Sequence, residues 1–136
     1  MKERNVVVDK SKAFALRIIK LYQLLKPNEK IISSQMLRSG TSIGANVKEA
    51  IRGQTRADFY AKMHIALKET AETEYWLRLL VKSELLTNEE GESLLKDCLE
   101  IKRVLIYSIV PKFTQITVQK VISVSLQIFW AIGEKR

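Results

Sequence analysis

Four long stretches with apolar residues at helical spacing are joined by very short links, and this limits what the chain can fold into more than any other feature. The spacing predicts helices over residues 9–26, 29–52, 56–82 and 88–110, separated by Pro27-Asn28, Gly53-Gln54 and the segment from Ser83 to Leu86. Apolar positions recurring at i, i+3 and i+4 mark a helix with one buried face. Connections this short force successive helices to lie antiparallel. The expected fold is therefore all-α, an antiparallel up-down four-helix bundle over residues 1–111 followed by a C-terminal extension, 112–136. Composition agrees, because five Gly and two Pro in 136 residues leave few turn signals for a sandwich or barrel.

Local signals suggest the boundaries. Asp9 is a candidate N-cap for helix 1, whose inner face carries Phe14, Ile18, Leu21, Tyr22 and Leu25, and Pro27 ends it. Thr87-Asn-Glu-Glu90 has the form of a capping box ahead of Leu94, Cys98, Ile101, Leu105 and Ile109. Gly53 is expected to stop helix 2. Gly40 lies inside that helix on its apolar side; a mid-helix Gly costs about 1 kcal/mol relative to Ala, so a closely packed neighbour is expected there. The extension supports two readings. Its apolar residues alternate from Ile116 to Ile132 as in a strand, yet wound as a helix they put Gln119, Lys120, Ser123 and Gln127 opposite Val121, Ile122, Ile128, Phe129 and Ile132. A lone strand beside a helical bundle would leave backbone groups unpaired. An amphipathic helix or a poorly ordered segment is expected instead, and a membrane span is not, because the apolar run is short and broken by Lys120 and two glutamines.

Charge and chemistry narrow the function. Of the net charge of +8, residues 1–62 carry thirteen Lys or Arg against five acids, while residues 63–104 carry six against nine. A basic half of this kind attracts polyanions, and a nucleic-acid backbone is the commonest in a cytoplasm. Lys10, Lys12, Arg17, Lys20, Lys48, Arg52 and Arg56 are the candidate phosphate contacts. His64 is the only histidine and Cys98 the only cysteine, so one subunit offers no His or Cys metal cluster. Arg38-Ser-Gly-Thr-Ser42-Ile-Gly lacks the lysine and spacing of a phosphate-binding loop. No cofactor, metal or catalytic residue is expected, and the protein reads as a non-enzyme. Without the apolar core of a signal peptide in Met1-Lys-Glu-Arg-Asn, and with no cysteine pair, a cytoplasmic location is expected.

Helix 2 also carries a narrow polar stripe. At about 100° per residue, Gln35, Arg38, Ser42, Asn46 and Glu49 share one strip that borders the apolar arc of Ile32, Met36, Gly40, Ile43, Val47 and Ala50. Polar groups at the edge of a core lose hydration and need partners. A buried network is expected, with Arg38 paired to Glu74 or Glu49. On helix 3, Ile65, Glu69, Glu72, Trp76 and Leu79 form a second strip away from the main inward face. Ile65, Trp76 and Leu79 are accordingly the candidate oligomer interface.

The run Gln35-x-x-Arg38-x-x-x-Ser42-Ile-x-x-Asn46-Val-x-Glu49-Ala, then Asp58-Phe59 and Ile65-Ala-x-Lys-Glu69-x-x-Glu72-Thr-x-Tyr-Trp76-Leu, closely resembles the bacterial 23S rRNA intervening-sequence family. The similarity covers about residues 5 to 110. It also extends to the accessory variability protein of diversity-generating retroelements. The resemblance implies a four-helix bundle assembled as a ring-like homopentamer and transfers no catalytic residues. The retroelement protein implies nucleic acid, RNA or DNA, and a reverse transcriptase as partners; the alternative reading is a protein-protein adaptor whose partner is a reverse transcriptase or a ribosome-associated factor. Where family members commonly have a glycine after the Asn and Glu, this chain has Ala50, and nothing in the resemblance accounts for residues 114–136.

Overall fold

The computed structural model describes residues 2–134. It consists of five helices: α1 (Lys2–Leu25), α2 (Ile31–Ile51), α3 (Arg56–Lys82), α4 (Asn88–Ile109) and α5 (Lys112–Glu134), with no strand among the described residues. The first four pack cyclically, α1 on α2, α2 on α3, α3 on α4 and α4 back on α1, as the short links require. The core lies between them, built from Val7, Phe14 and Ile18 of α1, Met36, Ile43 and Val47 of α2, Met63, Ala66, Leu77 and Leu80 of α3, and Leu94, Cys98, Ile101 and Leu105 of α4.

The helix ends follow local chemistry. Thr55 accepts a hydrogen bond from the Asp58 amide at 3.0 Å, and Thr87 accepts one from the Glu90 amide at 3.2 Å, so both serve as side-chain N-caps. For α2 the cap comes from outside the helix. The Glu29 carboxylate accepts from the amides of Ile31 and Ile32 at 3.0 Å and of Ser33 at 2.9 Å, satisfying three donors that have no partner within the helix. This is why α2 begins at Ile31 rather than at residue 29. The expected start of helix 1 at Asp9 is also corrected. Val7, Ser11, Phe14, Ile18 and Leu21 form one buried line, so the inner face continues a turn before Asp9, which lies exposed within α1. The polar Ser11 interrupts the apolar pattern and hides that continuity.

Gly40 allows the expected close approach, since a Cβ there would lie 2.9 Å from Cγ2 of Ile18. Gly53 does not act as a left-handed terminator, because no glycine has a positive φ. The left-handed position belongs to Glu84 at φ 63°, after α3. There the Glu84 amide donates to the Val81 carbonyl and the Leu85 amide to that of Leu80, both at 3.0 Å, the pattern of a Schellman motif.

α5 lies outside this packing. It makes no comparable contact with the four-helix core, and between it and the α4 side is a cavity of about 880 Å³ lined by Val6, Leu99, Val104, Tyr107, Ile122 and Leu126 among others. No helix among the described residues is long and apolar enough to cross a membrane.

Candidate nucleic-acid interface and the helix 2–3 seam

The polar stripe lies where α2 meets α3, but at the surface. Each residue sits about 100° before a buried neighbour (Met36, Ser39, Ile43, Val47 or Ala50), which turns it to the outer rim of the α3 contact. Arg38 is about half exposed and bridges two carboxylates of α3: its Nη1 lies 3.3 Å from Glu69 Oε2, and its Nη2 pairs with Glu72. Hydrogen bonding to Arg38 holds the Glu72 carboxyl below its ordinary range, and the same contact raises the guanidinium. Trp76 Nε1 donates to the other Glu72 oxygen at 3.3 Å. Along α2, Ser42 donates to the Arg38 carbonyl at 2.6 Å and Asn46 to the Ser42 carbonyl at 2.8 Å. Arg38 Nε reaches Gln35 at 3.5 Å.

The expected network is therefore corrected in membership and depth. Glu74 lies one residue past buried Thr73, which turns it toward α4. It pairs with Lys102 of α4 at 3.5 Å and, along α3 itself, with Arg78 at 2.9 Å. Burial pushes the Glu74 carboxyl up, but those two cations outweigh it and hold it below its ordinary range. Glu49 is exposed and pairs with Lys62 at 2.6 Å. The buried polar contact between α2 and α3 is a different one, with Thr73 Oγ1 2.8 Å from Ser39 Oγ and both residues fully buried. On the helical wheel Ser39 falls between Asn46 of the polar stripe, about 20° away, and Ile43 of the apolar arc, about 40° away, so spacing alone did not reveal its burial.

The candidate phosphate contacts divide into three groups. Lys10 and Arg17 face α4, paired with Glu100 at 3.1 Å and Asp97 at 2.6 Å, and Arg17 also donates to Ser93. Lys12 and Lys20 are exposed elsewhere on α1. Lys48 and Arg52 come together at the α2–α3 turn, where they line a cleft of about 430 Å³ with Gly53, Gln54, Asp58 and Lys62. Arg56 opens α3 at the same turn, exposed. Lys62 was missed because its sequence neighbourhood is not basic; it joins the cluster only when α3 folds back along α2.

Of the candidate interface residues, Ile65 is exposed, whereas Trp76 and Leu79 are half-buried and Trp76 packs against the core. Tyr75 is exposed next to Trp76, their rings edge to face with centroids 5.1 Å apart.

Comparison with other proteins places this geometry. A family profile described as "23S rRNA-intervening sequence protein" matches residues 3–107. A crystal structure of a protein of unknown function from the S23 ribosomal protein family of Bacteroides thetaiotaomicron is 53% identical, with a TM-score of 0.78. The match covers 79% of this chain and 97% of that one. No curated protein matches the sequence. α5 lies beyond the residues that the family profile matches.

Proposed function

The chain belongs to the 23S rRNA-intervening sequence protein family, and from that premise we propose that it works as a non-catalytic homo-oligomer that binds RNA or DNA through the basic surface at the α2–α3 turn. The observation that carries this reading is the convergence of Lys48, Arg52 and Lys62 on one cleft, with Arg56 beside it and only Glu49 and Asp58 as acids. Lys62 is already paired with Glu49, so Lys48, Arg52 and Arg56 are the cations open to phosphates, which give affinity without sequence preference. A five-fold ring repeats the cluster five times, so a weak single site becomes a polyvalent surface.

The test is fluorescence anisotropy with a structured ribosomal RNA fragment and a DNA duplex over a salt series. Wild-type affinity is expected to fall steeply with salt. The combined substitutions Lys48→Glu, Arg52→Glu and Arg56→Glu should weaken binding at least about tenfold and flatten the salt slope, because each removes a phosphate contact. Equal affinity of wild type and variant would move the site elsewhere. Absence of wild-type binding even at low salt would end the nucleic-acid reading.

A further inference from the structure

The cavity of about 880 Å³ between α4 and α5, with Val6 of α1 on one side, shares no described residue with the α2–α3 turn. Its size falls within the range of about 300–1,000 Å³ common for small-molecule sites. On α4, Leu99, Lys102, Arg103 and Ile106 follow i, i+3, i+4, i+7 spacing and present one stripe to it; on α5, Gln119, Ile122, Ser123 and Leu126 do the same. These walls are not packed on each other, since Val6, Leu99 and Leu126 keep 38%, 39% and 46% of their surface exposed. Apolar surface facing such a gap is wetted, and an alkyl ligand would remove that water. The polar groups on the walls share one character. Lys102 and Arg103 are cations, the Gln119 amide and the Ser123 hydroxyl can donate, and no acid lines the cavity among the described residues. Lys102 is shared with Glu74 at 3.5 Å. Arg103 has no ion-pair partner among the described residues, and Glu100, one turn before it, is taken up by Lys10 at 3.1 Å.

We propose that this cavity binds a free single-chain fatty carboxylate, its head on Arg103 and its alkyl chain between Leu99, Ile106, Ile122 and Leu126. Charge complementarity selects this class. A nucleic-acid backbone would meet the cations but leave the apolar walls wet, and a cationic amphiphile would bring like charge to Arg103. An anionic amphiphile answers both features. A guanidinium matches a carboxylate with two parallel charge-assisted hydrogen bonds, and a single unpaired cation suits a monoanion. Because α5 lies beyond residues 3–107, one wall of the site belongs to the part of the chain outside the family match, and the site does not depend on nucleic-acid binding.

The experiment is isothermal titration of the full chain with octanoate, decanoate and laurate below their micellar concentrations, and with decyltrimethylammonium as a cationic amphiphile. Saturable binding of one carboxylate per chain is expected, tightening about fourfold for each added methylene as the alkyl chain is buried. Decyltrimethylammonium should bind at least about tenfold more weakly than decanoate, for want of the charge-assisted bonds to Arg103. Ser123→Trp fills the cavity with an indole and should abolish carboxylate binding, while Arg103→Gln should weaken decanoate about tenfold and leave octanol unchanged. Both positions are exposed, so circular dichroism should match wild type. Lys48→Glu with Arg52→Glu should keep laurate binding, which separates this site from the nucleic-acid surface. Absence of saturable laurate binding overturns the proposal and leaves α5 to close on α4 unaided. Equal affinity for decanoate and decyltrimethylammonium, or unchanged binding in both cavity variants, overturns it as adhesion of alkyl chains outside the cavity.

Discussion

Two single residues reverse what helix propensity alone would suggest. Glu84 occupies the left-handed region, which costs a residue with a Cβ about 1–2 kcal/mol. Glu84→Gly should therefore stabilise the protein by about 1 kcal/mol, seen as a rise in denaturant midpoint at unchanged slope. No rise would mean that the Leu80–Leu85 bonding pattern, and not the backbone of residue 84, sets the α3 terminus. Gly91 behaves in the opposite sense. A Cβ there would fall 2.2 Å from Cγ2 of Val81, and Val has little χ1 freedom to yield. Overpacking at about 1–3 kcal/mol outweighs the gain of about 1 kcal/mol from replacing a helical glycine, so Gly91→Ala should lower the thermal midpoint. An unchanged or higher midpoint would show that α4 shifts freely against α3.

At the scale of elements, depth decides how much each ionic contact matters. Had Arg38 been buried, losing it would cost about 3–5 kcal/mol. The side chain is 48% exposed, and pairs of that kind contribute about 1 kcal/mol or less. Arg38→Ala should accordingly cost about 1 kcal/mol in denaturant unfolding, and a loss above about 3 would restore the buried-network reading. The Glu29 cap carries a pH signature. Its carboxyl is held below its ordinary value of 4.5, chiefly by the Ile32 amide against an opposing burial effect, with help from Ser33 and Ile31. A carboxylate depressed in the fold contributes stability above its unfolded value, and that contribution is lost as pH falls through the lower folded value. Wild type should therefore lose more stability than Glu29→Gln between about pH 5 and pH 3, as read from urea midpoints; parallel loss would assign the acid sensitivity elsewhere. These elements also show what the sequence made legible. Apolar spacing, Thr87 and the short links located α2 to α4 within two residues, because each signal is local. The start of α1 and the partners of Arg38 were not legible. A buried serine mimics a surface position, and a 100° step at Glu74 decides which neighbouring helix a charge meets.

For the whole molecule, the question is which surface joins the subunits of the proposed ring. Trp76 is half-buried, packs on the core and donates to Glu72, so replacing it would unsettle the bundle as well as any interface. Ile65 is the better probe, since it lies on the same side of α3 and is exposed. Beside it, Arg38 is already shared by Glu69 and Glu72. Charges that satisfy one another within a subunit lose less when a neighbour covers them than unpaired ones do, which makes this strip an inexpensive one to bury. Ile65→Glu adds a third carboxylate without a cation to meet it. It is expected to reduce the assembly to smaller species in light scattering while leaving the thermal midpoint close to wild type. If Ile65→Glu leaves the mass unchanged, the α3 strip is not the ring interface, and its exposed Ile65 and Tyr75 then face solvent or another protein.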